Sequence, residues 1–189
     1  MNQTNYIETF ALIDTICTEM GTRAYLWGGW IPDVYSGDVL RQHDDAEHLV
    51  VDLYKYRSKL QNFFNDLHWE TKIVNNGDLV IKKDGMKFHF GHLEIAADKT
   101  FWFHNGQKGQ IICPKDWLNE QALQCKGKHF HAVTPEFQYV LSIHPEFMNP
   151  QWQLREKDET TIRILTDLLL KKGVELKSIE GMMSCQNND

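Results

Sequence analysis

The order in which hydrophobic periods change along this chain limits its fold more than any other property. The first twenty residues set Ile7, Phe10, Ala11, Ile13 and Ile16 at helical spacing, and Gly21 after Met20 suits a C-terminal cap. A short apolar strand, Ala24–Trp27, then runs straight into Gly28 and Gly29. A short helix is expected over residues 30–35, with Pro32 in its first turn and Gly37 after it. A second strand over residues 46–52 and a long helix over 54–67, carrying Leu60, Phe63, Phe64 and Leu67, continue the alternation. From residue 69 to 112 the texture changes to short β-rich runs broken by Asn76-Gly77, Asp84-Gly85 and Asn105-Gly106, which favour tight hairpins. Alternation followed by hairpins predicts an α/β (α+β) fold, a mixed sheet flanked by helices. Beyond Pro114 helical segments are expected near 117–123, 135–143 and 157–172, parted by His144-Pro145 and Asn149-Pro150, and residues 184–189 read as frayed. This divides the chain into an α/β core, residues 1–113, and a mostly helical part, residues 114–189, that closes a cleft within one compact unit.

Composition narrows the classes of function. Hydrophobic residues make up 42% of 189, enough to build a core, so disorder as the main state is excluded. No window approaches roughly 18 consecutive apolar residues. Met1, Asn2, Gln3, Thr4 and Asn5 lack the basic start and apolar stretch of a signal peptide. A soluble, cytoplasmic protein without a membrane partner is the expectation. Twenty Lys and Arg against 26 Asp and Glu give a net charge of −6, and the basic residues are scattered. That argues against duplex nucleic acid as partner, because such affinity comes from neutralising phosphates. A small cationic or neutral partner fits better. Cys17, Cys113, Cys125 and Cys185 have no CxxC spacing, so neither a zinc site nor a disulfide framework is implied.

The chemistry-bearing stretch is Leu26-Trp27-Gly28-Gly29-Trp30-Ile31-Pro32-Asp33, followed by Gly37 and then Arg41-Gln42-His43-Asp44-Asp45-Ala46-Glu47. Paired glycines between a strand and a helix let backbone amides approach a phosphate, although the same pair also serves as a plain tight turn. Asp45 and Glu47, at i and i+2 on a strand, share one face and can share one cation. Such a pair after a glycine turn outlines a Mg2+-nucleotide site, and taken alone it equally suits a solvated strand face.

Gly28-Gly29-Trp30, Asp33, Gly37, Arg41, His43, Asp45 and the acidic residue that follows resemble the signature of the lincosamide and aminoglycoside nucleotidyltransferases, within the polymerase β-like nucleotidyltransferase superfamily. The resemblance extends from about residue 25 to 170, with weaker echoes in Met86-Lys87-Phe88-His89, around Trp117 and in Arg155-Glu156-Lys157-Asp158. It implies a nucleotidyltransferase-like sheet and transfer of a nucleoside monophosphate from a Mg2+-nucleoside triphosphate to a hydroxyl of a small, antibiotic-like molecule. Carried over by residue, Gly28 and Gly29 match the phosphate turn, and Asp45 and Glu47 match the first two metal-binding carboxylates, Glu47 standing where aspartate is usual. The third carboxylate of the family falls on Lys87, which as an ammonium binds no Mg2+ and takes no proton.

Three readings follow from Lys87. His89, two residues on and on the same strand face, serves as base; Glu94 enters through a bulge; or the site binds a nucleotide or small ligand without transfer. Arg155, Lys157 and Asp158 resemble the superfamily's basic-acidic turn, with Lys157 in reach of a triphosphate, and equally fit an exposed first turn. Arg41 either touches phosphate or holds the loop, and His43 packs or orients Asp45. Trp30 and Trp102 are aromatic candidates for stacking on a base or sugar, or for core and pocket wall. His129 and His131 form an i, i+2 pair better read as strand surface than as metal ligands.

Overall fold

Helix α1 (Gln3–Glu19) buries Tyr6, Ile7, Phe10, Ile13, Ile16 and Cys17, one stripe at helical spacing, and Gly21 beyond it takes a left-handed φ of 79°. The computed structural model that defines this helix describes residues 3–74, 77–104 and 109–187. The stripe lands on aromatic rings: Phe10 meets Trp30 at 5.0 Å and Phe130 at 5.3 Å, and Tyr6 meets Phe88 at 5.1 Å between ring centres.

The elements that follow are β1 (Ala24–Trp27), α2 (Ile31–Ser36), β2 (Ala46–Val51), α3 (Leu53–Asp66), β3 (Glu70–Ile73), β4 (Leu79–Lys83), β5 (Met86–Ile95), β6 (Thr100–His104) and β7 (Gly109–Pro114). After them come β8 (Leu123–Cys125), β9 (Lys128–Phe130), α4 (Pro135–Ile143), α5 (Glu156–Lys171), α6 (Leu176–Glu180) and β10 (Ser184–Asn187). Among the described residues the main sheet runs β1-β2-β5-β6-β7-β10, with β3 and β4 as a branch from β5. Among the described strands only β2 and β5 pair in parallel. Strand β5 carries β2 along one edge, while β4 and then β6 share the other in series.

Alternation along β5 sorts the two faces. Phe88 and Phe90 point into the layer of α1 and α3, where Phe64 meets Phe90 at 6.1 Å. Lys87 and His89 take the opposite face, which α4 and α5 overlook. The expected Asp84-Gly85 hairpin forms: φ is 51° and 78° at its two residues, and Lys83 pairs with Met86. Asn76, Asn105 and Gly106, named in the other two hairpin signals, lie outside the described residues.

Three expectations are corrected. Residues 117–123 are not helical: a single 3-10 turn, Lys115–Trp117, leads into β8. The β8 to β9 hairpin closes through Lys126-Gly127, both with positive φ, a turn that a lysine disguises in the sequence. Residues 184–187 are not frayed, because they pair antiparallel with β7. The boundary at residue 113 therefore cuts through the sheet. Residues 131–133 also run beside β1, with Leu26 N–H donating to His131 O at 3.0 Å and Val133 N–H to Leu26 O at 2.9 Å, and this delivers α4 over the open face. No described helix is long and apolar enough to cross a membrane.

Candidate active site

The cleft on that face encloses about 460 Å3. Its floor follows from strand register. Trp27 pairs with Glu47, and Glu47 with His89, so the three lie side by side across β1, β2 and β5. One step along, Asp45 and Lys87 meet, Lys87 Nζ lying 3.3 Å from Asp45 Oδ2. Lys87 thus engages a carboxylate directly. Both side chains are close to half exposed, so the contact is a solvated ion pair.

Asp45 is fixed from behind. The buried Trp30 donates its indole N–H to Asp45 O at 2.9 Å, and Tyr6 Oη donates to Asp44 O at 2.9 Å. Trp30 is fully buried and stacks on His43 at 4.0 Å, so it positions the loop and does not stack on a ligand. His43 Nε2 lies 2.9 Å from Asp33 Oδ2, which also accepts the Leu40 N–H at 2.9 Å. His43 packs, and ties α2 to the loop that presents Asp45.

Glu47 carries the strongest electrostatic perturbation in the cleft. Burial, and after it the negative charge of Asp45, pushes its carboxyl up to about 7; Lys87, Arg41 and Lys157 offset only part of this. A carboxylate so placed is short of positive charge. Among the described residues no three His, Cys, Asp or Glu side chains group to hold a metal alone. Asp45 and Glu47 are two hard oxygen donors lining the same cleft, and they would be the residues to hold a Mg2+ brought in with a phosphate ligand.

The glycine turn packs against these groups. A side chain on Gly28, whose φ is 77°, would put its Cβ 2.5 Å from Glu47 Oε2, and one on Gly29 would collide with Arg41 Nη2. Arg41 donates to Gly29 O at 3.3 Å, so it holds the turn while lining the cleft. The Gly28 N–H donates to Gln138 Oε1 at 2.7 Å, and Gln138 donates to Ser142 Oγ at 3.2 Å. Gln138 and Ser142 were invisible as site residues in the sequence, since nothing in α4 signals that residues 131–133 dock beside β1.

Helix α5 supplies the opposite wall. Arg155 is not free to reach a phosphate: its Nε and Nη2 bind Asp158 at 2.8 and 2.9 Å, and its guanidinium lies 4.4 Å from the centre of the Trp152 ring. This pair caps the helix and leaves the exposed Lys157 as the wall's cation. Leu141, Pro145, Met148, Trp152 and Leu154 make the cleft's apolar rim.

On the far flank His89 Nε2 lies 3.5 Å from Asp78 Oδ2. Burial lowers the imidazole below its ordinary range and raises the Asp78 carboxyl, so His89 is neutral at pH 7. Asp78 was not a sequence candidate. Glu94 is excluded: β5 is continuous, and Glu94 pairs with Trp102 on the face opposite His89. Trp102 lies outside the cleft, edge-on to His92 at 5.6 Å. His131 pairs with Asp14 at 2.7 Å, and His129 faces Gln124 across the hairpin.

The sheet and the helices over it give the chain a nucleotidyltransferase-like fold, similar to that of aminoglycoside and lincosamide nucleotidyltransferases. No protein-family model matches the chain, and no curated protein matches its sequence. Among solved structures it is similar to the antibiotic-resistance factor ANT(2'')-Ia in solution, with a TM-score of 0.69 and 16% identity over 95% of this chain and 91% of that one. The same factor in complex with adenylyl-2''-tobramycin gives a TM-score of 0.67 and 16% identity over 95% of each chain. The lincomycin-bound lincosamide antibiotic adenylyltransferase LnuA gives 0.61 and 17% identity over 82% of this chain and 92% of that one. At such identities the likeness is one of fold.

Proposed function

We propose that this protein transfers a nucleoside monophosphate from a nucleoside triphosphate, taken up with Mg2+, to a hydroxyl of a small molecule. The observation that carries this is the placing of Asp45 and Glu47 together in one cleft with the Gly28-Gly29 turn, which packs directly against the Glu47 carboxyl. Arg41 and Lys157 offer positive charge to the phosphates from two sides, with Gly28 and Gly29 allowing their close approach. The ion held by Asp45 and Glu47 would offset phosphate charge and orient the α-phosphoryl group. His89, neutral at pH 7, takes the proton of the acceptor hydroxyl. The oxygen so freed forms its bond to the α-phosphorus as the bond to pyrophosphate breaks. The net charge of −6 suits a cationic or neutral acceptor. Solved structures of this fold carry lincomycin and adenylyl-2''-tobramycin, which supports an antibiotic-like acceptor, and the nucleotide requirement suits the cytoplasm.

Thermal unfolding with each nucleoside triphosphate, with and without Mg2+, tests the reading. A ligand at a hundred times its Kd adds about 2.7 kcal/mol. For this length that raises Tm by roughly 5–10 °C. A Mg2+-dependent shift that Asp45→Asn abolishes is expected; no shift with any nucleotide would remove the reading.

A second reading, binding without transfer, is favoured by one contact: Lys87 Nζ sits on Asp45 where the family has its third carboxylate. Lys87→Asp separates the two. Transfer that appears or rises steeply supports an enzyme fold short of one carboxylate, whereas absent transfer with intact nucleotide binding supports a binding protein.

A further inference from the structure

One largely covered carboxylate beside the cleft, Asp78, takes no part in the functions assigned above. It immediately precedes β4, and the pairing of Val80 with His89 and Leu79 with Phe90 puts Asp78 on the His89 face, diagonal to the imidazole. Its side chain is only 17% exposed and its Oδ2 lies 3.5 Å from His89 Nε2. Two contacts hold it there. The carboxylate accepts the backbone N–H of His92, and Arg57 binds the carbonyl of the preceding Gly77 at 2.6 Å. A carboxylate withdrawn from water in this way is costly unless a donor can reach it, and the His89 ring, with Nε2 at 3.5 Å, is placed to close on it as a donor.

A carboxylate accepts and does not donate, so the ring nitrogen facing it is the one that carries the hydrogen. We propose that Asp78 is a positioning residue for transfer: it holds His89 with its hydrogen on Nε2, leaving the bare Nδ1 to take the proton of the acceptor hydroxyl. The inference rests on the transfer reading above. In the step, the hydroxyl proton moves to Nδ1, the oxygen lone pair bonds to the α-phosphorus, and pyrophosphate leaves with the electrons of the broken P–O bond. The ring becomes an imidazolium between Asp78 on the β4 side and Glu47 on β2, with Asp45 and Lys87 in the next row and Lys82 across from Lys87. Asp78 faces the developing charge and stabilises it, the part a carboxylate plays behind any histidine base. On this arrangement His89 with Asp78 does the work of the carboxylate that Lys87 displaces.

The test uses the full chain labelled with 15N in histidine. Ring N–H protons of solvated histidines exchange too fast to be seen, whereas one held by a carboxylate gives a signal. Wild type is expected to show a His89 ring proton on Nε2, Asp78→Ala to lose it, and Asp78→Glu to keep it. A proton found on Nδ1, or a signal indifferent to Asp78→Ala, overturns the assignment. Should the alanine variant not fold, Asp78→Asn gives the comparison, the expected outcome being an Nε2 proton shifted upfield and an unmoved one overturning it. The second arm follows pyrophosphate released from ATP and Mg2+ with tobramycin or lincomycin as acceptor. There Asp78→Ala is expected to lower kcat by about tenfold or more with KM for ATP unchanged, and Asp78→Glu to recover most of it. An unchanged kcat overturns the positioning role. Wild-type protein that shows the ring proton but releases no pyrophosphate overturns transfer to these acceptors and leaves the Asp78 to His89 pair as a structural contact.

Discussion

Two glycines with nearly the same backbone conformation isolate what the cleft asks of Gly28. Gly28 and Gly37 have φ of 77° and 76°, so alanine at either pays the same left-handed strain, about 1–2 kcal/mol. Their surroundings differ. Nothing lies within 4 Å of a Cβ on Gly37, while a Cβ on Gly28 would sit 2.5 Å from Glu47 Oε2 and 3.0 Å from its Cδ. That carboxyl is the far end of a flexible side chain, and burial already disfavours its charge, so it can swing away at little further cost to the fold. Both variants should therefore lose about 1–2 kcal/mol, or roughly 2–8 °C of Tm at this length. On the proposed function, only Gly28→Ala should lose the Mg2+-dependent stabilisation by nucleoside triphosphate, because the displaced Glu47 would no longer be placed to share an ion with Asp45. Urea unfolding measures the first quantity and thermal shifts with ATP and Mg2+ the second. Equal nucleotide stabilisation in the two variants would refute the placing of Glu47 in the site. A stability loss in Gly28→Ala exceeding that of Gly37→Ala by several kcal/mol would refute the idea that Glu47 yields.

Other consequences follow from single contacts. Because the Glu47 carboxyl is raised from 4.5 to about 7, the folded protein binds its proton more tightly than the unfolded chain does; this contribution is full below pH 4.5 and is lost as pH rises through 7. Urea titrations of the metal-free protein should show stability falling over that window, and Glu47→Gln should flatten the slope. Lys87→Met removes a solvated ion pair, so its effect on urea stability should stay below about 1 kcal/mol, with tighter Mg2+-dependent ATP binding as Asp45 is released. Asp33→Ala strips partners from the buried His43 ring and from the Leu40 N–H, and should lower stability by about 3 kcal/mol, a Tm loss of roughly 6–12 °C. A loss under 1 kcal/mol would mean that this pair does not hold the Asp45 loop.

The legible parts of the molecule are those whose signals are local. Helical stripes, the Asp84-Gly85 turn, and the placing of Asp45 and Glu47 toward one cleft depend on neighbours within a few residues, and each could be read directly. What escaped depends on pairing at a distance. Gln138 lines the cleft because the backbone of residues 131–133 follows β1, and Asp78 comes beside His89 because β4 joins β5 in one register, neither of which leaves a mark in composition or period. Lys126-Gly127 turns as Asp84-Gly85 does, yet lysine seldom adopts positive φ, so the hairpin was masked. Trp30 illustrates the reverse: the residue beside a glycine turn invites a role in stacking, and burial assigns it to holding Asp45 by its carbonyl.

Strand β10 decides which edge of the sheet faces the solvent. Until residues 184–187 have emerged from the ribosome, β7, with Ile111 and Ile112 at its middle, offers unpaired backbone to any extended chain nearby. Pairing replaces that apolar edge with the short sequence Ser184, Cys185, Gln186, Asn187, a poor template for a further strand. A nick ahead of β10 would thus leave the cleft residues in place and bare the β7 edge, favouring edge-to-edge association.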